Sequence, residues 1–429
     1  MLTAEYFSEN IQQFTKQALQ WASLFNSACC FHSHGSNTQD PYRKFDILLA
    51  AGVTDELFPT PEQPFFTKLK HFIAQHPHQW IPGFLAYDLK NELETLQTNH
   101  PNEQGIPDAY FFVPKHLIQI NGNQISINSN EPAAVFQQIQ SIAVIDNPFS
   151  FSGKVQAKMT KKAYKYAFKQ LLEHIHRGDI YEVNLCQEFF AEQVSFSPLE
   201  AYWQLSTISP TPFSCYFKVY ENHLLCASPE RFLAKRQQLL ISQPIKGTAA
   251  RGNTPEEDQQ CRDRLRANQK EISENIMIVD LVRNDLTRSA QPASVRVNEL
   301  LGVYTFQQVH QLISTITAQE KPGLHPLDSI QATFPAGSMT GAPKINAMKL
   351  IDTFESSSRG LYAGSIGYFA PDGDYDFNVV IRTLFFNEQK KRISFHVGGA
   401  LTAEAQAEEE YQECLLKAKA IMELLGFKV

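Results

Sequence analysis

The chain has 429 residues, 43% hydrophobic and 19% charged, and its 38 basic and 45 acidic residues give a net charge of −7. This apolar fraction can fill a sizeable core and excludes global disorder, and the acidic balance excludes a general nucleic-acid binder, which needs a basic surface. No apolar run approaches the length of a membrane-spanning helix, and seven cysteines without CxxC spacing suit a reducing cytosol. We therefore expect a cytoplasmic protein that has neither nucleic acid nor a membrane as a partner.

The first 150 residues carry short strand-like runs, such as 45–50 and 119–127, separated by Asn, Gly and Pro turn signals. They contain no pattern that we can assign to catalysis. Over 147–153 the pattern changes, and the segments beyond it are longer and more regular. The sequence therefore predicts an N-terminal structural or regulatory subdomain over 1–150 and a second domain over 151–429.

The second domain opens with a helical pattern. Apolar residues at helical spacing over 160–177 predict an amphipathic helix, which Thr160 opens and Gly178 ends. The run 180–189, rich in apolar residues, predicts a strand directly after this helix.

Paired strands are predicted over 223–234 and 238–246, and the strongest helical signal follows them. The run Thr254-Pro255-Glu256-Glu257 combines an N-cap residue, a Pro at the first helical position and a capping-box Glu. Beyond it, a single long helix is predicted, with one buried stripe formed by Cys261, Leu265, Ile272, Ile276 and Val279.

The C-terminal part predicts strands over 363–399, joined by turns at 371–374 and 387–390. A last helix is predicted over 403–425, ending at Gly426. Because strands and helices do not alternate regularly, an antiparallel α+β fold is favoured over a doubly wound parallel sheet.

Four glutamates form two pairs in which the members lie three residues apart and share a helix face, namely Glu271 with Glu274 and Glu410 with Glu413. Glu274 falls in a stretch that is apolar nearly all round, where a buried carboxylate needs a cation, a hydrogen-bond donor or a proton. One interpretation is structural, with Glu274 bound to a cation such as Arg283 and Glu413 to Lys417. The other is that the two pairs together hold a hard divalent ion such as Mg²⁺.

Three further side chains have a chemical and a structural interpretation. Lys246, after an apolar strand, is either a surface cation or, if buried, a neutral nucleophile. Glu230 is either a salt-bridged strand residue or a general acid whose pKa is raised by burial. His310 by itself favours a hydrogen-bonded core histidine over a catalyst.

The Gly-rich stretch 335–344 lacks the spacing of a phosphate-binding P-loop and is interpreted as an anion-binding turn before a helix.

Taken together, several segments resemble the chorismate-utilising enzymes over most of residues 155–425. They are GDIYEVNL at 178–185, SPERF at 228–232, PIKGT at 244–248, SENIMIVDLVRND at 273–285, VHQLIST at 309–315, FPAGSMTGAPK at 334–344, GLYAGSIGYF at 360–369, IRT at 381–383 and VGGA at 397–400. The PIKGT segment resembles the aminodeoxychorismate-forming members, whereas anthranilate-forming members typically read PIAGT. The resemblance implies a two-domain α+β body with a large antiparallel β-sandwich, outer helices and chorismate held in a cleft.

The same resemblance implies amination of chorismate at C4 to 4-amino-4-deoxychorismate, a step toward para-aminobenzoate and folate. Lys246 would attack C2, Glu230 would protonate the departing C4 hydroxyl, and His310 would sit beside that hydroxyl. Ammonia would then attack C4 and expel the lysine. The implied ligands of Mg²⁺ are Glu271, Glu274, Glu410 and Glu413, and the implied substrate-binding residues are Ser338, Tyr362, Arg382, Gly398 and Gly399.

Glu182 departs from the family pattern, because aminating members usually have Gln there. Isochorismate- or salicylate-forming members have a water-activating Lys at this position, so its absence disfavours a hydroxylating reaction.

None of the cysteines lies in a Gly-x-Cys-x-Gly turn, and ammonia is therefore expected from a glutamine amidotransferase subunit. Two alternatives stay open: an anthranilate synthase component I in which Lys246 is a passenger, and a non-catalytic subunit that binds chorismate or a glutaminase.

Overall fold

The computed structural model of the chain describes residues 1–35, 40–144, 149–307 and 309–427. Its strands are β1 (Leu2–Phe7), β2 (Ser27–His32), β3 (Ile47–Leu57), β4 (Ile81–Leu85), β5 (Ala109–Asn121), β6 (Gln124–Ser129), β7 (Gln156–Ala157), β8 (Glu182–Ala191), β9 (Phe213–Val219), β10 (Asn222–Ser228), β11 (Arg231–Arg236), β12 (Leu239–Gln243), β13 (Ile245–Ala250), β14 (Arg296–Thr305), β15 (Val309–Gln319), β16 (Gly341–Ala342), β17 (Ser365–Phe369), β18 (Tyr375–Val379), β19 (Thr383–Asn387) and β20 (Arg392–Leu401). Its helices are α1 (Ile11–Ala22), α2 (Phe65–Gln75), α3 (Lys90–Leu93), α4 (Pro132–Ser141), α5 (Lys161–His176), α6 (Pro198–Ile208), α7 (Pro255–Ala267), α8 (Gln269–Thr287), α9 (Pro326–Thr333), α10 (Lys344–Phe354) and α11 (Ala407–Leu424). The strands pair antiparallel, which confirms the predicted α+β class.

The strands form two layers that share one strand. The first layer runs β1-β6-β5-β3-β2-β9-β10-β19-β20-β8, and the second runs β4-β17-β18-β11-β12-β15. Strand β5 joins them, because its last residues pair with β6 and its first residues pair with β4. Phe84 of β4 packs edge to face on Phe217 of β9, with ring centroids 5.5 Å apart, so the layers enclose a common aromatic core.

Both halves of the chain contribute strands to the same layers. Strand β2 pairs with β9, and β4 pairs with β17, so N-terminal strands lie beside C-terminal ones. The division at residue 150 stays a prediction of the sequence, and Asn147, in the segment where the pattern changes, lies outside the described residues.

Helices cover the outer face of the first layer. Trp21 of α1, Tyr202 of α6 and Ile421 of α11 belong to one buried cluster with Leu384 and Phe395 of the sheet. Within the described ranges, no helix is long and apolar enough to cross a membrane. The cytoplasmic location stays a prediction.

Several local predictions are confirmed. The side chain of Thr160 accepts the backbone N–H of Ala163 and so caps α5, and Gly178 adopts a φ of +82° after the last turn of that helix. The predicted strands over 363–399 are β17 to β20, and the last helix ends before Gly426. That helix begins at Ala407 and not at residue 403.

The predicted strand over 223–234 is wrong as a single element. Strand β10 ends at Ser228 and β11 begins at Arg231, and the two pair with different neighbours. Pro229 has no N–H to donate to a ladder, which favours a break at this point. The break leaves Glu230 between the two strands, where its carbonyl oxygen accepts the backbone N–H of Val379 of β18.

The single long helix is also wrong, because the chain leaves the helical conformation at Asn268. The side chain of Asn268 accepts the backbone N–H of Lys270 and starts α8 afresh. The new helix turns a different face inward, so that Glu274 and Ile278 are buried while Ile276 is 43% exposed.

Candidate active site

Glu230 is a buried carboxyl group at the break between β10 and β11. The hydroxyl of Ser338 donates a hydrogen bond to its Oε1 at 2.5 Å. Burial raises the pKa of Glu230 to about 7, although this hydrogen bond and the charge of Lys246 act in the opposite direction. Near neutral pH the carboxyl can therefore hold a proton or release one.

Lys246 is the second residue of β13, where the pairing with β15 shifts register. Its Nζ donates to Oε1 of Glu182 at 2.6 Å, and the two side chains are 9% and 2% exposed. Burial acts to lower the pKa of Lys246, but the charges of Glu182 and Glu274 outweigh it, and the pKa lies above its ordinary value. The lysine is thus an ammonium in this state.

Glu182 itself is held by its backbone. The short strand β16 pairs with β8 so that Ala342 lies opposite Glu182. Gly341 has a φ of +152°, and a Cβ atom there would lie 2.1 Å from the carbonyl oxygen of Glu182, so only glycine allows this approach. The second carboxylate oxygen, Oε2, is buried and has no hydrogen-bond partner in the part of the chain that the structure describes.

The four glutamates of α8 and α11 lie near one another, as their spacing predicts, and a lysine stands among them. Nζ of Lys270 is 2.6 Å from Oε1 of Glu410, 3.6 Å from Oε2 of Glu413 and 3.9 Å from Oε1 of Glu274. The side chain of Glu271 lies beside Gly247, where a Cβ atom would come within 3.2 Å of its Oε2. The two glutamate pairs therefore border the strand that carries Lys246.

These glutamates fit a hard divalent cation in donor type and in charge. Oε1 of Glu274 and Oε2 of Glu410 are buried without a hydrogen-bond partner among the described residues. Carboxylate oxygens are the ligands that Mg²⁺ prefers. In the described ranges, no three side chains of His, Cys, Asp or Glu are gathered closely enough to hold a metal ion as they stand. The ammonium of Lys270 lies among the glutamates.

The charges of the cluster are unequal. Burial raises the pKa of Glu274 to about 7, and it also raises the pKa of Glu271 and of Glu410. Burial opposes ionisation of Glu413 as well, but Lys417, whose Nζ lies 2.9 Å from its Oε1, outweighs this and holds the pKa of Glu413 at about 2. The pairing of Glu413 with Lys417 is confirmed. The cluster as a whole is short of positive charge.

Arg382 lies between β18 and β19 with a φ of +51° and is half-buried. Its guanidinium makes no hydrogen bond to any described residue, which leaves its donors available to an anion. Burial lowers the pKa of Arg382 from its ordinary value, while the nearby phenol of Tyr362 and carboxylate of Glu413 act to raise it. The ring of Tyr362 is stacked on His396, with centroids 5.1 Å apart.

Gly398 and Gly399 lie inside β20, opposite Cys186 and Leu185 of β8. The carbonyl oxygen of Gly398 accepts a hydrogen bond from Nζ of Lys417 at 3.1 Å. A Cβ atom on Gly399 would lie 3.2 Å from Oε2 of Glu410, so this glycine borders the glutamate cluster.

His310 is fully buried on β15 and both of its ring nitrogens have partners. Nδ1 lies 2.9 Å from Oγ1 of Thr305, and Nε2 lies 2.9 Å from Oδ1 of Asp258. Asp258 also binds the guanidinium of Arg251. Among the described residues, His310 is hydrogen-bonded to neither Glu230 nor Lys246.

With this geometry in place, the chain can be compared with known proteins. The family model described as chorismate binding enzyme matches residues 17–423. The chain belongs to the chorismate binding enzyme family.

Two bacterial relatives match nearly the whole length of this chorismate binding enzyme. It is 36% identical to "Aminodeoxychorismate synthase component 1" of Escherichia coli, over 95% of this chain and 94% of that protein. It is 34% identical to the protein of the same name from Salmonella typhimurium, over 94% and 93%. The crystal structure of anthranilate synthase component I from Streptococcus pneumoniae superposes with a TM-score of 0.79 at 26% identity, covering 89% of this chain and 92% of that one. The protein is thus an enzyme of this family, with the fold that the resemblance implies.

Sequence reasoning missed two residues of this chorismate binding enzyme. Lys270 stands four residues before Glu274, a spacing at which opposite charges meet on a helix, so its position was open to inference. Asp258 reaches His310 from α7 across 52 residues, and no local pattern announces it. The interpretation that Glu274 pairs with Arg283 is wrong, because Arg283 binds Asp280.

The Gly-rich stretch has a structural use. Nζ of Lys344 donates to Oδ2 of Asp285 at 2.5 Å and to the carbonyl oxygens of Thr333 and Pro335, each at 2.9 Å. An ammonium has three donors, so none is left for an anion. Lys344 therefore offers no donor to an anion and joins this stretch to α8, and the interpretation of the turn as an anion-binding site stays a prediction.

Proposed function

We propose that the protein aminates chorismate at C4 with ammonia and produces 4-amino-4-deoxychorismate, a step toward para-aminobenzoate and folate. The observation that carries the proposal is the buried Lys246 beside Glu230, an acid whose pKa is raised to about 7, at the edge of a four-glutamate cluster. The names of the two bacterial relatives support the same reaction.

In the proposed reaction, the ammonium of Lys246 first loses a proton to water. The neutral Nζ then bonds to C2 of chorismate while the C4–O bond breaks. Glu230 gives its proton to the departing hydroxyl, which leaves as water. Because the lysine then blocks C2, ammonia attacks C4, and the C2–Nζ bond breaks to release the lysine as a neutral amine. The new C4 ammonium loses one proton, which restores the acid form of Glu230. A pKa of about 7 suits Glu230 to this task, since a general acid works best when its pKa lies near the operating pH.

We assign the proposed Mg²⁺ site to Glu274 and Glu413, with Glu271 and Glu410 as helpers. The two unpartnered carboxylate oxygens and the shortage of positive charge support this assignment. When bound, Mg²⁺ would act as a Lewis acid on the ring carboxylate and make C2 more electrophilic.

The substrate carboxylates would be bound by Arg382, whose donors are free of described partners, with Tyr362 beside it. Ser338 and the Gly398-Gly399 segment are the other proposed contacts. Ser338 would then share its hydroxyl between substrate and Glu230, and so couple binding to the acid. His310 would face the leaving hydroxyl only after Nε2 changes partner, because Asp258 holds it in this state.

Ammonia would come from a glutamine amidotransferase subunit. The designation "component 1" of the relatives supports a partner component. The buried cysteines support it too, because burial raises the pKa of the thiols of Cys29, Cys30, Cys186 and Cys215, whereas a glutaminase needs a reactive thiolate.

The test is to incubate the purified chain with chorismate, Mg²⁺ and ammonium, and to identify the product with and without an added aminodeoxychorismate lyase. We expect 4-amino-4-deoxychorismate, and para-aminobenzoate once the lyase is present. Anthranilate as the product would replace this proposal with the anthranilate-forming reaction. No turnover at high ammonium would favour a non-catalytic chorismate-binding or scaffold subunit.

A further inference from the structure

Lys270 supplies the cation that the glutamate cluster holds in this structure. Its Nζ is 2.6 Å from Oε1 of Glu410, 3.6 Å from Oε2 of Glu413 and 3.9 Å from Oε1 of Glu274. Three of the four glutamates assigned to Mg²⁺ thus converge on one ammonium group. A divalent ion bound by the same oxygens would meet a like charge at close range, and such a contact is strongly repulsive where water is excluded.

The fold brings Lys270 into this place through the break between α7 and α8. The Asn268 side chain accepts the N–H of Lys270 at 3.0 Å and fixes it in the first turn of α8, one turn before Glu274. From there the side chain reaches across to Glu410 on α11. The Lys270 side chain is 37% exposed, whereas Glu410 is 1% exposed, so the ammonium has a path to solvent that the carboxylate lacks.

One ammonium does not satisfy the cluster. Oε1 of Glu274 and Oε2 of Glu410 are buried and lack a hydrogen-bond partner among the described residues. Lys417 supplies a second positive charge, but its Nζ is bound to Glu413 and to the carbonyl oxygen of Gly398. The cluster thus keeps two carboxylate oxygens without a hydrogen-bond partner beside a lysine that can reach solvent. A cation of higher charge could therefore replace this lysine.

We propose that Lys270 is an internal competitor of Mg²⁺, which neutralises the glutamate cluster while the metal is absent and turns outward to solvent when the metal binds. The proposal rests on the Mg²⁺ site of the proposed function. Lys270 is a positioning residue in this scheme, because it acts on the reaction only through the glutamates. Its two consequences are that it weakens Mg²⁺ binding and that it protects the metal-free fold from repulsion between the carboxylates.

The experiment is isothermal titration of Mg²⁺ into the purified full chain, with the wild type and three variants. For Lys270→Met we expect at least a tenfold lower Kd, because the competing charge is gone. Lys270→Arg keeps the charge and should bind Mg²⁺ as weakly as the wild type. Lys161→Met is the matched control. Lys161 binds Glu408 at 2.7 Å, and Glu408 lies on α11 like Glu410 but outside the cluster, so this variant should leave the Kd unchanged.

A second measurement does not depend on calorimetry. Without Mg²⁺, Lys270→Met should melt at a lower temperature than the wild type, and added Mg²⁺ should raise its Tm by more than it raises that of the wild type. A Kd for Lys270→Met equal to or higher than that of the wild type would overturn the competitor role while leaving the Mg²⁺ site intact. If Mg²⁺ neither binds to nor stabilises either protein, the metal site of the proposed function fails, and the competitor role fails with it.

Discussion

Two buried lysine–carboxylate pairs in this molecule are alike in burial and differ in how completely they are satisfied. Lys344 and Asp285 are 10% and 3% exposed, and Lys246 and Glu182 are 9% and 2% exposed. Lys344 has an acceptor for each of its three donors, whereas Lys246 has one acceptor among the described residues. Burial alone therefore does not mark a reactive lysine. The lysine that keeps unused donors beside a bare carboxylate oxygen is the one that we place in the reaction.

The strongest test of this comparison is Lys246→Ala. We expect C4 amination to fall by at least about 1,000-fold, the scale on which enzymes lose activity when a reacting group is removed. The covalent adduct of protein and chorismate, detected by intact mass in the absence of ammonium, should disappear. An adduct of unchanged yield would show that another residue attacks the substrate and that Lys246 is not the nucleophile.

The converse test is Lys344→Met. Breaking a fully bonded buried pair leaves Asp285 and two carbonyl groups without their donor, so the free energy of unfolding should fall by about 3–5 kcal/mol. Urea denaturation measures this loss, and Lys246→Met serves as the matched variant. A loss for Lys246→Met as large as that for Lys344→Met would break the comparison, because both pairs would then be structural.

A finer test changes only the partner of Lys246, the proposed nucleophile. In Glu182→Gln, Lys246 loses the nearest carboxylate that raises its pKa, so the pKa should drop, by about one to three units for a close opposite charge. The neutral amine then becomes available at lower pH, and the rising limb of adduct formation against pH should move toward acid. Glu274 and Glu230 also face the lysine and stay in place. Glu188→Gln, on the same strand but bound to Arg392, is the control and should leave the limb where it is.

The smallest effect is expected from Ser338→Ala. Glu230 must be protonated to act as the acid, and its pKa is about 7, so the amination rate should fall as the pH rises through that value. The hydrogen bond from Ser338 lowers this pKa, and its removal should move the falling limb a fraction of a unit to higher pH. The rate is followed at constant free ammonia, because ammonium itself titrates in the same experiment. If the falling limb of the amination rate moves to lower pH, the assignment of Glu230 as the general acid is contradicted.

Local signals account for what the sequence could predict. The cap at Thr160, the turn at Gly178 and the glutamate spacing each involve residues a few positions apart, and all are found in the structure. The break at Asn268 was missed because the apolar spacing continued through it, while one side-chain hydrogen bond to the backbone stopped the helix.

Long-range pairings could not be predicted in the same way. Glu182 and Lys246 meet across 64 residues, and each pattern by itself is compatible with an exposed charge. The pairing exists only because β8 and β13 are brought together by the rest of the sheet. The resemblance to a family implies roles for such residues, but not the partner that each one has here.

Strand β5 has a consequence for how the molecule can be divided. Because it belongs to both layers, and because β9 and β17 are bordered by β2 and β4, a fragment that starts at residue 151 would carry the proposed catalytic residues with two bare sheet edges. Exposed edges of this length invite pairing with other chains, so such a fragment should aggregate and not fold as a smaller enzyme. The N-terminal region, which has no catalytic pattern of its own, thus covers the sheet edges of the C-terminal region and protects it from aggregation.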